Sequence, residues 1–324
     1  MSERIPSSTS GVGMGVASGA GVGRTSGAGA GLAPAGMRTS PRGVGAQRLM
    51  IYGVLLLVAV FVLAPVYVVV VTSLKDLAEI RRGNVLALPE VPTLAAWLKA
   101  WGTACTGVRC EGLRPYFVNS VLMVVPAVLL SSILGSINGY ALAQWRFRGA
   151  DAIFTLLLVG FFIPFQVILL PAAQLLGVLG LSNTIAGLVL IHVVYGIAFT
   201  TMLFRNYYVG VPQELVKAAR IDGAGFFRIF RRIFLPLSLP IFMVCIIWQF
   251  TQIWNDFLFG VVFSGVDARP VTVALNNLVN TSEGVKEYNV DMAAALITAL
   301  PTAVVYMLGG RYFVRGLTAG AVKG

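Results

Sequence analysis

Five polar or aromatic side chains crowd a short part of an otherwise apolar segment: Gln249, Gln252, Trp254, Asn255 and Asp256. Trp248 and Thr251 thicken the cluster. Amide side chains both donate and accept hydrogen bonds, and an indole ring offers a flat apolar face. Together they suit a neutral ligand rich in hydroxyl groups, bonded through its oxygens and stacked on its C–H face. They equally suit hydrogen bonding between helices in a membrane, where an unpaired polar group is costly. Both readings stand. Other chemistries find little footing. No Gly-Lys-Ser/Thr triplet occurs, so the usual phosphate-cradling loop is absent. No nucleophile–base set or carboxylate pair stands out for catalysis. The single histidine, His192, and the lack of a CxxC pair argue against a metal site. His192 reads as a packing residue, with a ligand or proton-relay role the rarer alternative. The chain is therefore expected to carry no catalytic residue, metal or cofactor of its own.

A second cluster lies in Gln213–Pro240, QELVKAARIDGAGFFRIFRRIFLPLSLP. Pro212 suits the first turn of a helix, and Glu214 then sits near its positive end. Leu215, Ala218, Ala219 and Ile221 recur at helical spacing. Asp222 and Gly223 should stop that helix, since glycine accepts the left-handed turn that ends it. A basic–aromatic helix follows, apolar at Phe226, Phe227, Phe230, Ile233 and Phe234, and basic at Arg228, Arg231 and Arg232. Leu235-Pro236 leads into the next apolar run. Such a helix can lie on anionic lipid or dock on a protein. The spacing of Ala218-Ala219, Gly223, Ile233, Leu235 and Pro236 resembles the EAA loop of binding-protein-dependent ABC importer permeases. Lys217 stands where that motif has Glu, which puts the motif's usual ion pair in doubt; Glu214, one turn earlier, is the candidate substitute. The neighbouring ARIDGA is similar to the sugar-importer branch.

The elements that must position these groups are membrane helices. Of 324 residues, 57% are hydrophobic and 11% charged, where a soluble domain carries about a quarter charged residues. Six apolar stretches are long enough to cross a bilayer as helices: Leu49–Val71, Tyr116–Ala143, Ile153–Leu176, Thr184–Phe204, Leu237–Phe263 and Met292–Val314. With the N-terminus inside, five basic residues precede span 1, two sit between spans 2 and 3, six between spans 4 and 5, and three lie at or after the end of span 6. The outer loops hold only eight, so both termini read as cytoplasmic. The net charge of +11 is then topological and does not imply nucleic-acid binding.

Residues 1–46 are rich in Gly, Ala and Ser, without hydrophobic periodicity, and are expected to be disordered. Met14 and Met37 are alternative starts, and span 1 is too long for a signal-peptide core. In the first outer loop, Pro89, Pro92, Trp97 and Trp101 suggest a short ordered lid or an aromatic belt at the membrane surface. Cys105 and Cys110 in that loop are either two free thiols or, in an oxidising compartment, a small disulfide loop. Cys245 falls within span 5. Ser131, Gly135, Gly139 and Ala143 repeat every four residues in span 2, which lets another helix approach closely, within this chain or in a second subunit. Pro164 and Pro171 mark kinks in span 3.

The resemblance extends over residues 49–324, through WRFRGAD after span 2, the Trp254–Phe257 stretch and the closing RYFVRGLTAGAVKG, which is similar to maltose-type permeases. It implies an all-α, six-helix type I ABC importer permease domain over 47–324, with the coupling loop at 205–236. It implies a bacterial inner-membrane location. It also implies a second permease, two ATPase subunits that bind ATP and Mg, and an extracytoplasmic sugar-binding protein. The loop's two short helices would dock in a cleft of the ATPase, through Leu215, Ala218, Ala219 and the Phe226–Phe230 patch. The Cys105–Cys110 loop and the closing stretch resemble permeases of glucose or mannose uptake. The alternatives are a permease for another small polar solute, an ion-coupled secondary transporter and a non-transporting membrane scaffold. The ion-coupled class normally shows intramembrane charges and inverted repeats, and here only Asp256 near a span end fits.

Overall fold

The computed structural model describes residues 42–145, 147–280 and 285–321, with side chains given for residue 45 and, within those ranges, from 47 to 310. Residues 1–41 of the expected disordered tail, and the side chains of the closing RYFVRGLTAGAVKG, lie outside the described residues. The described residues are helical or connecting, with no strand among them.

Residues up to Leu56 and those from Leu57 onward form two compact units. In the first, the described residues open helix α1 (Arg42–Ser73), and every described side chain is exposed. A helix apolar on all sides is stabilised by lipid rather than by water. Because α1 begins at Arg42, residues 42–46 belong to this helix and not to the tail assigned to them from composition. A helix already nucleated by a long apolar run adds further turns cheaply.

In the second unit, α2 (Leu77–Arg81) and α3 (Ala95–Gly102) order the first long loop. They are followed by α4 (Arg114–Gln144), α5 (Ala150–Phe162), α6 (Phe165–Val178) and α7 (Ile185–Val209). The elbow comprises α8 (Gln213–Ile221), α9 (Phe226–Ile229), a π-helical turn at Phe230–Phe234 and α10 (Leu235–Leu237). Helices α11 (Leu239–Trp254), α12 (Leu258–Phe263), α13 (Val271–Asn280) and α14 (Tyr288–Ala321) complete the chain.

Four stretches are long and apolar enough to cross a membrane: Gln47–Ser73, Arg114–Gln144, Ile185–Val209 and Tyr288–Gly310. Two bent pairs, α5 with α6 and the elbow helix with α11, raise the number to six if each is one span. The all-α architecture expected from the sequence is present, with four continuous candidate spans and six when each bent pair is one span. Span 3 turns by 102° between α5 and α6. Ile163 there is extended at φ −66°, ψ 124°, as the residue before a proline should be. Span 5 is helical only to Trp254; Asn255–Phe257 break it, and α12 starts afresh. Asp256 makes the restart possible, because its carboxylate accepts from the N–H groups of Phe259 (3.3 Å) and Gly260 (3.1 Å). The elbow helix meets α11 at 77°, between Pro236 and Pro240. Tyr207 Oη donates to the Leu237 carbonyl freed at that bend, at 2.7 Å.

The small-residue stripe of α4 packs within the chain, against α7. A Cβ on Gly135 would lie 2.2 Å from Thr200 Oγ1, and one on Gly139 would lie 2.7 Å from the backbone N of Arg205. Thr200 Oγ1 in turn donates to the Ser131 carbonyl at 3.0 Å. Only glycine permits this approach, and the contact resolves the stripe in favour of intramolecular packing.

Candidate functional site

Helix α8 turns one side chain inward, Val216, which is 1% exposed. Glu214, Leu215, Lys217 and Ala218 face outward, and Ala219 is half-buried. Gly223 ends the helix at φ +73°, with its N–H bonded to the Arg220 carbonyl at 3.0 Å and that of Ala224 to Ala219 at 2.9 Å. The chain then drops an aromatic ladder onto Tyr140 of α4. Ring centroids of Phe226, Phe230 and Phe234 lie 4.7, 5.4 and 4.6 Å from it.

Polar bonds lock this joint. Trp145 Nε1 donates to Tyr140 Oη (2.9 Å), Gln144 Nε2 to the Tyr208 carbonyl (2.7 Å) and Gln213 Nε2 to Gln144 Oε1 (2.8 Å). The Arg220 guanidinium lies 4.6 Å over the Trp145 ring.

The outer face of the elbow differs from the expected one in the Phe226–Phe230 patch. Phe226, Phe230 and Phe234 are four residues apart and share one helical face, so a partner for one is a partner for all. That partner is Tyr140, and Phe230 is buried and Phe226 half-buried. Phe227 and Ile221, at 71% and 86% exposure, take the outward positions beside Leu215 and Ala218. Asp222, Leu235 and Pro236 are exposed, and Ile233 is half-buried. The period-four signal for the inward ladder was in the sequence; the anchoring role of Val216 was not.

A cavity of about 540 Å3 opens among α5, α6, α7, α11 and α12. Its aromatic wall carries Trp248 stacked on Phe199 at 4.9 Å, Phe199 on Phe161 at 5.6 Å, and Tyr195 edge-on to Phe259 at 5.8 Å. Gln252 and Asn255 are exposed on its lining, and Asp256 reaches it from the break between α11 and α12. Gln249 also lines it, but its Nε2 is engaged with Ser131 Oγ at 2.9 Å, the interhelical bond that the sequence left open.

Trp254 is the correction among the expected path residues. It is 1% exposed, donates Nε1 to the Thr298 carbonyl at 2.9 Å and stacks on Phe250, away from the cavity. The side of α11 that carries it faces α14, and Trp248 supplies the indole of the cavity. His192, read from sequence as packing, sits in the lining with its Nε2 3.7 Å from Asp256 Oδ2.

At the opposite end of α4 from the elbow, Cys105 and Cys110 are joined by a disulfide. Arg109 within that hairpin pairs with Asp267 at 2.9 Å. Asn119 Nδ2 donates to the carbonyls of Asp267 (2.8 Å) and Arg269 (3.1 Å), tying the hairpin region to the loop before α13.

A bundle of bent apolar helices, a polar–aromatic cavity within it and a helix–glycine–helix joint exposed between two spans define a multi-pass membrane permease. Residues 127–318, which contain both cavity and elbow, match the family described as binding-protein-dependent transport system inner membrane component, and the chain belongs to that family. A probable ABC transporter permease protein of Pyrococcus horikoshii is 47% identical over 188 residues, covering 57% of this chain and 68% of that one. The xylose/arabinose import permease protein of Haloferax volcanii is 32% identical over 295 residues, 85% of this chain and 93% of its own. The crystal structure of a bacterial ABC transporter involved in import of the acidic polysaccharide alginate shares the fold: TM-score 0.71 at 22% identity, over 85% of this chain and 98% of that one.

Proposed function

We propose that this chain is the membrane-spanning subunit of an ATP-driven importer that carries a sugar delivered by an extracytoplasmic binding protein. In this reading both termini and the elbow face the cytoplasm, in a bacterial inner membrane. ATP and Mg are bound by two separate ATPase subunits, and a second, related permease completes the pathway. The ATPase docks on the outward face of α8 and the Gly223 turn, around Leu215, Ala218, Ile221 and Phe227. Closure of the ATPases then tilts α4 and α7 through the Tyr140 joint and alternates access to the cavity.

The observation that carries this reading is the elbow itself. Its inward face is fully engaged by α4 and α7, while Ile221 and Phe227 remain exposed beside small alanines. Large apolar side chains on a polar surface mark a protein contact. A sugar as cargo is supported by relatives named for xylose/arabinose, alpha-glucoside, arabinooligosaccharide and diacetylchitobiose transport. They agree on the class and differ on the sugar; the resemblance of the hairpin and closing stretch to glucose and mannose permeases is the reason to test those two first. A second reading, another small polar solute, is favoured by a 36% identical relative from Synechocystis named for osmoprotective compounds.

The test is uptake into vesicles holding the reconstituted complex, with ATP inside and the binding protein outside. Sugar accumulation that requires the ATPase subunits is the expected result. Accumulation that persists without them and follows a proton gradient would overturn the reading in favour of an ion-coupled carrier.

A further inference from the structure

His192 is the most conspicuous unsatisfied group near the cavity. Its side chain is 6% exposed, and Nε2 has no hydrogen-bond partner among the described residues. A buried polar atom left alone costs on the order of 1–3 kcal/mol, so proteins rarely keep one without use. The ring leans on Phe259, centroids 5.4 Å apart, and the facing group is the Asp256 carboxylate. At 3.7 Å the two are too far apart for a direct hydrogen bond. Nε2 is closed to a water-sized probe as the ring now stands, so an oxygen can bridge the two only if the cavity opens at His192 and the pair moves apart. That oxygen must do two things at once: accept from an imidazole N–H and donate to a carboxylate. A hydroxyl group does both.

Asp256 is held for the task. Two backbone N–H groups, of Phe259 and Gly260, fix its oxygens at the start of α12. Gln252 and Asn255 add further polar groups on the same lining, and Trp248 over Phe199 supplies a flat apolar wall. A volume of about 540 Å3 falls in the usual range for small-ligand pockets.

We infer that His192 and Asp256 together clamp one hydroxyl of the transported sugar, making this chain a direct and selective part of the sugar path. This rests on the proposed function above and adds the residues that read the cargo. In the absence of sugar the pair is incomplete, so a sugar with a hydroxyl at the matching position gains a contact that its deoxy analogue lacks. Recognition built on a satisfied buried pair discriminates more sharply than apolar contact does.

The experiment uses the whole reconstituted complex with one binding protein throughout. The probes are radiolabelled glucose, mannose, xylose and arabinose, then the monodeoxy forms of whichever is taken up. The wild-type complex should disfavour one deoxy position by about 10- to 100-fold in uptake kcat/KM. His192→Phe, which keeps a ring of similar size and removes the donor, should erase that discrimination and leave the other deoxy positions ranked as before. His192→Gln, which keeps a donor, should retain part of it and guards against misfolding of the Phe variant. Asp256→Asn combined with His192→Phe should lose less than the product of the single losses, because both variants break one clamp. The contribution of the binding protein cancels, being the same in each comparison. If the wild type takes up sugar and His192→Phe discriminates as the wild type does, the clamp is refuted while the importer stands; the gap then holds only water. If the wild-type complex takes up no sugar at all, the proposed cargo falls and the clamp with it.

Discussion

Helix α7 carries an aromatic–polar centre at each end, and the two are built to opposite rules. Near its C-terminal end Tyr208 shares a hydrogen bond with Ser136 at 2.7 Å, and its carbonyl accepts from Gln144. Tyr140 and Trp145 are bonded to each other, and Gln213 extends the chain of contacts into α8. Near its N-terminal end His192 keeps an unpartnered Nε2, and Asn255 and Gln252 are exposed. The first centre is a joint: a satisfied network rigidifies, so a push on α8 is delivered rather than absorbed. The second leaves His192 Nε2 and the Gln252 amide without partners among the described residues, and in the proposed reading it is the receptor. Sixteen residues of helix separate them, about 24 Å at 1.5 Å per residue. The seam of α4 glycines against Thr200 and Phe204 lies between, so the two centres move as one strut.

Opening that seam should have the largest effect. Gly139→Leu would drive a side chain into the backbone N of Arg205 and Cβ of Phe204, both at 2.7 Å from the Cβ position. Backbone yields little, so the loss should exceed the roughly 1–3 kcal/mol of ordinary overpacking. The complex should lose thermal stability in detergent and fail to assemble. Gly160→Leu on α5 is the control, since nothing lies within 4 Å of its Cβ position. Equal stability of the two variants would remove the strut from the argument.

The elbow turn comes next. Gly223 has open space around its Cβ position, so the penalty of an ordinary side chain is the left-handed backbone alone, on the order of 1 kcal/mol. Proline, fixed at a φ of about −65° and without the N–H that bonds the Arg220 carbonyl, costs more. Gly223→Asp or Gly223→Pro should leave every span inserted yet weaken ATPase capture in a pull-down. Uptake and binding-protein-stimulated ATP hydrolysis should fall together. Gly223→Asn, which tolerates this φ better, should fall least. Normal capture with normal hydrolysis would return the elbow to the lipid-facing alternative.

At the receptor end the expected effect is smaller and purely functional. Gln252→Ala and Asn255→Ala each remove an exposed amide from the cavity lining, the latter together with an Nδ2 bond to the Thr251 carbonyl one turn back on the same helix (2.9 Å). Uptake should drop several-fold with no change in assembly or thermal stability, consistent with a polar contact of about 1 kcal/mol. Gln249→Ala should behave differently, lowering stability, because it breaks the bond to Ser131. If Gln249→Ala and Gln252→Ala proved alike in both readouts, the division between packing and path residues along α11 would be wrong.

These centres were not equally legible in the sequence. The elbow is local: Pro212, Gly223 and Pro236 punctuate 25 consecutive residues, and turn chemistry acts through neighbours in the chain. Even there the inward ladder was assigned to the wrong face, because its partner Tyr140 lies 86 residues from Phe226. The cavity is assembled from five helices, and no spacing rule brings His192 to Asp256. Polar residues in span 5 marked the right helix but not the right indole, since which side of α11 meets α14 is decided by packing. The two broken spans were foreshadowed differently. Pro164 announced the first, whereas Asn255-Asp256 were read as ligands when they also serve as a helix stop and a cap.

The smallest expected effect lies outside both centres, at the Cys105–Cys110 hairpin. A disulfide closing so short a loop constrains little unfolded chain, so its contribution is about 2 kcal/mol at most. It is also not alone in holding the hairpin. Arg109 pairs with Asp267, and Asn119 secures the backbone on either side of Ala268. Replacing both cysteines with serine should therefore leave sugar uptake within about twofold of wild type, while making the hairpin a faster target for protease added at the outer face. Adding Asp267→Ala should then loosen it further, since the ion pair to Arg109 is lost while the Asn119 bonds to backbone and the Thr106–Arg109 backbone bond remain. Before either variant is read, the bond itself is checked by alkylating unreduced membranes with Cys245 already replaced. No label without reductant and two labels after reduction are expected. Two freely labelled thiols in untreated membranes would show that the hairpin is held without the disulfide, by the Arg109 ion pair and the backbone bonds around Thr106. The serine variants should then match the wild type in protease sensitivity as well as in uptake.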